Sequence, residues 1–419
     1  MRYLLFALSV LALLASPASA EVKKYKFVLH AGAHDRLQTP VKVPVLLPKS
    51  LLDAHAEIID SDGKRFPAQV TRGSLLSLPR PGRDADAPVE IVFLAPPLKA
   101  GQILTLGALV RNEGSVPPKT TKWTDTPGQF TELSFSGRPV LRYMHAALDE
   151  STKDTRSATF KPYHHVFDPT GKILLTKGPG GLFPHHRGVF YGFNRISYGD
   201  GKKADVWHCN NGEYQSHEQF VSAEAGPVLG RHVCHIGWHG QDGKVFAEEL
   251  RELTAYNTPG GTLIEFASHL ESKVGKLRLD GDPQHAGFQF RATQEVPDKT
   301  EKLTYYLRPD GKGEPGVFRN WDAKTRDPKT VNLPWHALCF VVNDQRYTCC
   351  YLDRPENPKE ARFSERDYGR FGSYFEYDLD SVKPLDVNYR LWLQDGEMTG
   401  EQVQRVANDF VQPVKVSQE

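Results

Sequence analysis

The chain has 419 residues, 52 Lys+Arg against 51 Asp+Glu, and 39% hydrophobic residues, enough for two or three ordinary domains or one large β-domain with an appendage. This even charge balance builds no basic stripe and so excludes an electrostatic nucleic-acid binder. Thirty prolines, 35 glycines and only 3 methionines favour a turn-rich β protein over a helical one, and the 16 histidines, several of them paired, are the unusual feature.

Arg2, the apolar run 4–14 and Ala18-Ser19-Ala20 read as an export leader cleaved after Ala20, which makes the product periplasmic or secreted. Its removal leaves 51 charges of either sign. The leader is too short to span a bilayer, and no later stretch approaches twenty apolar residues. Short strands at 25–29, 41–47, 91–94 and 104–110 predict a small β-sandwich domain over 21–125. Pro117-Pro118-Lys119 and Thr126-Pro127-Gly128 mark a break, and 126–419 forms the large domain that holds nearly all the histidines.

In that region apolar residues alternate with period two. Over 262–270, one face carries Ile264, Phe266 and Leu270, and the other mixes Leu263 and Ala267 with Glu265 and His269. Over 287–294, Phe288, Phe290 and Ala292 alternate with Gln289, Arg291 and Thr293. Asp168-Pro169-Thr170-Gly171, Asp242-Gly243, Pro259-Gly260-Gly261 and Asp310-Gly311 supply turns. The expected fold is all-β: a large antiparallel β-sandwich of supersandwich type, preceded by a small β-sandwich domain and closed by a short C-terminal helix. Thr399 caps that helix, with Gln402 at the capping-box position and Val403, Val406 and Phe410 on one face. The five cysteines are an odd number in a chain too large to need staples. They read as buried small hydrophobes with at most one disulfide, and Cys349 and Cys350 should point to opposite faces.

Polar residues converge most densely at 178–188, where a Gly/Pro-rich loop delivers His185, His186 and Arg187 to the start of a strand. Imidazole suits acid–base work or metal ligation, and guanidinium suits a carboxylate or sugar hydroxyls. The competing reading is that these residues pin a loop. The loop is not a phosphate-binding one, because no Gly-Lys-Ser/Thr opens a helix. Glu249 and Arg251 share the face of Ala247 and Leu253, as a buried ion pair or as the lining of a cleft. His285 sits on a turn leading to Gln289 and Arg291, which share a strand face. Trp207, His208 and His217 suit stacking and hydrogen bonding to a sugar ring, with an aromatic core role equally open for Trp207. His145, His164 and His165 read as structural. His232 and Cys234 share a face, without a metal-ligand spacing. Asp353-Arg354-Pro355-Glu356-Asn357-Pro358 forms either a ligand-contacting loop or a plain turn, and 313–329 reads as a long loop near the rim of the site. No HExxH, CxxC or GxSxG motif is present.

Taken in order, Pro184-His185-His186-Arg187-Gly188, Asp205-Val206-Trp207, Glu249-Leu250-Arg251, His285-Ala286-Gly287-Phe288-Gln289-Phe290-Arg291 and Arg354-Pro355-Glu356-Asn357-Pro358 resemble a family of exported bacterial proteins labelled PmoA-like or "methane oxygenase". The resemblance covers about 138–411. A membrane-embedded methane oxygenase needs spanning helices that this chain lacks, so that activity is not expected. The resemblance implies a galactose mutarotase-like sandwich that binds sugars in an open cleft. It also implies an enzyme acting on a glycoside or modified sugar, with His185 or His186 as acid and Glu249 as base. His285 would stand beside them, with Arg187, Trp207, Arg251, Gln289, Arg291, Arg354 and Asn357 around the substrate. No cofactor is required by that reading. The alternatives are a transition-metal enzyme with His185, His186 and His285 as ligands, or a non-catalytic glycan-binding module. The expected partner is a small-molecule or oligosaccharide ligand, not a nucleic acid.

Overall fold

The computed structural model describes residues 21–37, 39–76, 86–112 and 121–418. The leader assigned to residues 1–20 and the Pro117-Pro118-Lys119 break lie outside these. The expected all-β architecture is observed in four antiparallel sheets: eight- and nine-stranded sheets pack face to face, a four-stranded sheet adds Ile196, Leu277 and Leu279 to their core, and a seven-stranded sheet forms the small domain. Among the described residues, no helix is long and apolar enough to cross a membrane.

One wall of the sandwich is an eight-stranded sheet. Its strands in spatial order are Arg362–Arg366, Arg370–Tyr374, Ala286–Arg291, Val189–Phe193, Tyr163–Val166, Arg138–Met144, Phe130–Phe135 and Thr121–Thr126. The other wall has nine strands, with Leu229–His239, Val245–Tyr256, Thr262–Ser272, Leu385–Asp395 and Gln345–Asp353 at its centre. Period-two alternation sorts side chains between the two faces of each wall. Tyr191, Phe193, Phe288 and Phe290 point from the first wall, and Trp238, Leu253, Ile264 and Phe266 from the second, into one shared core. Cys349 joins that core while Cys350 faces the opposite way, against the C-terminal helix. All five cysteines are free and buried.

The helix spans Gly400–Val411 with the Thr399/Gln402 capping box formed, and it covers Trp335, Ala337 and Leu352 with Val403, Ala407 and Phe410. The chain then returns to the N-terminal sheet, where Lys415–Gln418 pairs with Val22–His30. The domain limits of 21–125 and 126–419 need two corrections. Thr121–Thr126 is an edge strand of the large sandwich, and the last strand belongs to the small domain. Hydrogen bonding, not sequence order, decides membership: the small sheet's edge is left unpaired unless a distant segment supplies a strand.

That small domain is one seven-stranded sheet curled around a common core that includes Phe27, Val43, Ile58, Ile91 and Leu106. It covers the outer face of the nine-stranded wall, where Val92 packs on Val228, Tyr256 and Leu263. This accounts for the mixed second face of Thr262–Ser272. Glu265, 4% exposed, receives Lys42 Nζ at 2.7 Å from the small domain, Tyr256 Oη at 3.0 Å and the Arg390 guanidinium. Burial pushes the Glu265 carboxyl up, but the neighbouring Lys42 and Arg390 charges outweigh it and hold it well below the usual range. A depressed carboxylate stabilises the fold at every pH above its unfolded value and loses that contribution as pH falls through its folded value. Thermal melts between pH 7 and pH 3 should therefore fall less steeply in Glu265→Gln than in the parent below about pH 4.5. At neutral pH the variant should be less stable by roughly 1–3 kcal/mol.

Candidate functional site

The outer face of the eight-stranded wall carries Tyr163, His165, Phe190, Gln289, Arg291 and Arg370, and the loops 177–188, 205–213 and 282–285 fold over it. Two glycines allow the loop and strand to meet. Gly188 has φ +42°, and a Cβ there would stand 2.1 Å from the His164 carbonyl oxygen. Gly287 has φ +82°, and its Cβ would stand 2.0 Å from that of Ser373. Both backbones are left-handed and pressed against a neighbouring strand, which only glycine tolerates. These are the glycines of the HHRG and HAG segments.

On this base three imidazoles converge: His185, His186 and His285 each present a ring nitrogen, all within 4.8 Å of one another. His285 turns Nδ1 onto Asp282, 2.9 Å from Oδ1, which leaves Nε2 for a ligand. Burial works against the Asp282 carboxyl, but His285, Gln284 and Asn194 beside it hold it well below the usual range. His186 is buried, and neither of its ring nitrogens meets a protein partner; the same is true of His185 Nε2. Burial, then the Lys161 and His208 charges, pushes His185 down to about 2. Burial, then Arg370, holds His186 well below the usual imidazole range. Burial thus favours the neutral, metal-ligating form of His185 and His186.

His208 completes the rim. Its ring centre lies 4.5 Å from that of His185 and 4.7 Å from that of His285, and its Nδ1 is 2.8 Å from Asp205. Asp205 and Asp282 each stand three residues before the histidine they orient. This repeated Asp-x-x-His spacing was a sequence signal for the orienting carboxylates that the motif reading passed over. Arg370, Tyr368, Lys161 and Lys177 were also missed, because nothing local distinguishes them. Tyr368 stacks at 6.2 Å on His186, and the Arg291 guanidinium lies 4.7 Å over the same tyrosine ring.

Of the other residues expected at the site, Gln289 and Arg291 are there, and several are not free to act. Glu249 is fully buried inside the sandwich, where it accepts two hydrogen bonds from Arg251, at 2.9 and 2.7 Å, and one from Trp238 Nε1 at 2.9 Å. Those three donors occupy both of its oxygens, so it is not a free base, and Arg251 is not a free clamp. The strand face of Ala247 and Leu253 points between the two walls, away from the loops. Arg187 is pinned by the main-chain carbonyls of Pro184, Ala158 and Ser157 and stacks over Phe160; it holds loops together. Trp207 is wholly buried against Phe190 and Tyr163 and offers no exposed platform. Arg354 binds Asn388 and the Phe410 carbonyl, and Asn357 binds Asp353 and the Asn388 main chain; both brace the turn and the terminal helix.

His164 and His232 meet at 3.0 Å inside the sandwich, with Cys234 2.9 Å from His232 and the Tyr143 ring stacked on His164. The loop 313–329 lies along the edge strand Arg362–Arg366, to which Trp321 and Asn320 bond.

The model of a family described as "Family of unknown function (DUF6807)" matches residues 131–408. The chain belongs to this family. No curated protein matches it. Among solved structures, it is similar to an alpha-mannosidase from Enterococcus faecalis V583, with TM-score 0.41 and 9% identity over 94% of this chain and 46% of that one. It is also similar to a protein in the Glycosyl Hydrolase Family 38 from Enterococcus faecalis, with TM-score 0.41 and 10% identity over 94% of this chain and 47% of that one. The chain spans a little under half the length of either.

Proposed function

We propose that this chain is an exported, metal-dependent enzyme in which His185, His186 and His285 hold one transition-metal ion. The substrate class, a sugar or sugar derivative, comes from the PmoA-like, mutarotase-like resemblance. The segments that carry that resemblance all fall within 131–408, and we take it and the family match to describe one group of proteins. The metal reading is carried by one observation: three imidazoles each offer a ring nitrogen, these atoms lie within 4.8 Å of one another, and a carboxylate orients one of the rings.

Zinc–nitrogen bonds of about 2.0–2.1 Å in tetrahedral array put ligand nitrogens about 3.4 Å apart, so small side-chain rotations complete the set. Three protein ligands leave a position for water or substrate, where an ion polarises a bound oxygen or lowers the pKa of bound water. His208, with Nδ1 fixed by Asp205, is placed to move a proton at the rim through Nε2. The reading that pairs a histidine acid with Glu249 as base is less well supported, because Arg251 and Trp238 occupy that carboxylate.

The test is metal analysis of the purified chain by mass spectrometry after stripping with chelator and reloading separately with Zn²⁺, Mn²⁺, Fe²⁺, Cu²⁺ and Ni²⁺. One tightly held equivalent is expected for at least one ion. Failure of all five to bind stoichiometrically would sink the proposal.

A further inference from the structure

Arg291 is 0% exposed. Its Nη1 donates to the main-chain carbonyls of Ala292, at 3.2 Å, and Tyr368. Its Nε and Nη2 meet no protein acceptor. These two nitrogens form one edge of the guanidinium and carry parallel N–H bonds spaced for the two oxygens of a carboxylate. Elsewhere in this chain the same edge is filled in that way. Arg251 grips Glu249 through Nε and Nη2 at 2.9 and 2.7 Å, and Arg308 grips Glu365 through the same two atoms. Arg291 by contrast donates only to neutral carbonyl oxygens, and the Asp298 carboxylate acts on it only from beyond ion-pair distance.

The neighbouring cations repeat the imbalance. Arg370, also 0% exposed, donates to Gln289 and Ser364 and leaves Nε without an acceptor. Lys177 and Lys161, each 3% exposed, donate to main-chain carbonyls. Among the described residues, no carboxylate comes within ion-pair distance of these four side chains. A buried guanidinium without a counter-charge is costly, and two of them with free N–H groups, beside three converging histidines, suit an anion from outside.

We infer that the site takes an organic carboxylate, held side-on by Nε and Nη2 of Arg291 with Arg370 as a third donor. On the metal-centre reading above, on which only the placement of the reacting end rests, the substrate is a sugar acid. Its carboxylate would sit on the Arg291 side of Tyr368 and its reacting oxygen on the histidine side.

The experiment is calorimetric titration of the full chain, metal-loaded and metal-stripped. The probes are a panel of hexuronates and aldonates, their parent neutral sugars, and inorganic phosphate. At least one acid is expected to bind 10-fold or more tightly than its parent sugar. Arg291→Gln and Arg291→Lys should both erase that preference while the bound-metal equivalent and circular dichroism stay as in the parent. Equal binding of every acid and its parent, or a preference that survives in Arg291→Gln, would overturn the inference. So would phosphate binding more tightly than every carboxylate, which would reassign the cations to a phosphate group. Intact metal stoichiometry without carboxylate preference defeats this inference alone; carboxylate preference in a chain that holds no metal defeats the metal reading alone.

Discussion

His285→Ala is expected to abolish stoichiometric metal binding, and Asp282→Asn to weaken it by about 10–100-fold while the fold persists. The two variants separate supplying a ligand atom from aiming it. His285 contributes one of three converging nitrogens, so its loss leaves two ligands on adjacent residues. Asp282 contributes none; it holds Nδ1 at 2.9 Å and so determines which nitrogen faces the ion. Asparagine keeps an oxygen for the Gln284 amide and for His285, but it gives up the charge that raises imidazole basicity. Equilibrium competition with a chromophoric chelator gives both affinities, and circular dichroism checks the fold. Equal affinity in Asp282→Asn and the parent would show that the carboxylate only braces its turn.

The second large effect lies in the core. Arg251→Met is expected to cost about 3–5 kcal/mol, because it leaves the Glu249 carboxylate buried with only Trp238 as donor. Glu249→Gln/Arg251→Met should recover most of that loss. Glutamine still accepts from the Trp238 indole, and methionine fills the guanidinium's apolar surroundings without a charge to bury. Chemical denaturation of the two single variants and the double variant gives the coupling directly. Metal stoichiometry should be unchanged throughout. A Glu249→Gln variant that keeps its stability but loses turnover would restore the carboxylate to a catalytic role.

Much of the architecture is legible in local pattern. Period-two alternation placed Phe288 and Phe290 inward and Gln289 and Arg291 outward. The adjacent Cys349 and Cys350 diverge as strand geometry requires, and the capping residues locate the helix within a residue. The HHRG and HAG segments stand out by their histidines, and their glycines are the points where the backbone presses on a neighbouring strand. These features depend on a few neighbouring residues, so the sequence carries them.

Arginine roles do not reduce to neighbours. Arg187, Arg251, Arg291 and Arg354 read alike in sequence, as guanidiniums in matched segments. In the fold, Arg187 is consumed by carbonyls some thirty residues away, Arg354 by the Phe410 carbonyl and Arg251 by Glu249, while Arg291 keeps one edge free. Which acceptors reach a long side chain is decided by segments brought from elsewhere in the chain. The same holds for Lys415–Gln418, whose place in the small sheet no local signal marks. By itself the sequence determined an all-β chain with a histidine-bearing loop. Only the tertiary structure decided which imidazoles converge, which carboxylates aim them and which cations remain uncompensated, because pairing and burial are properties of the assembled fold.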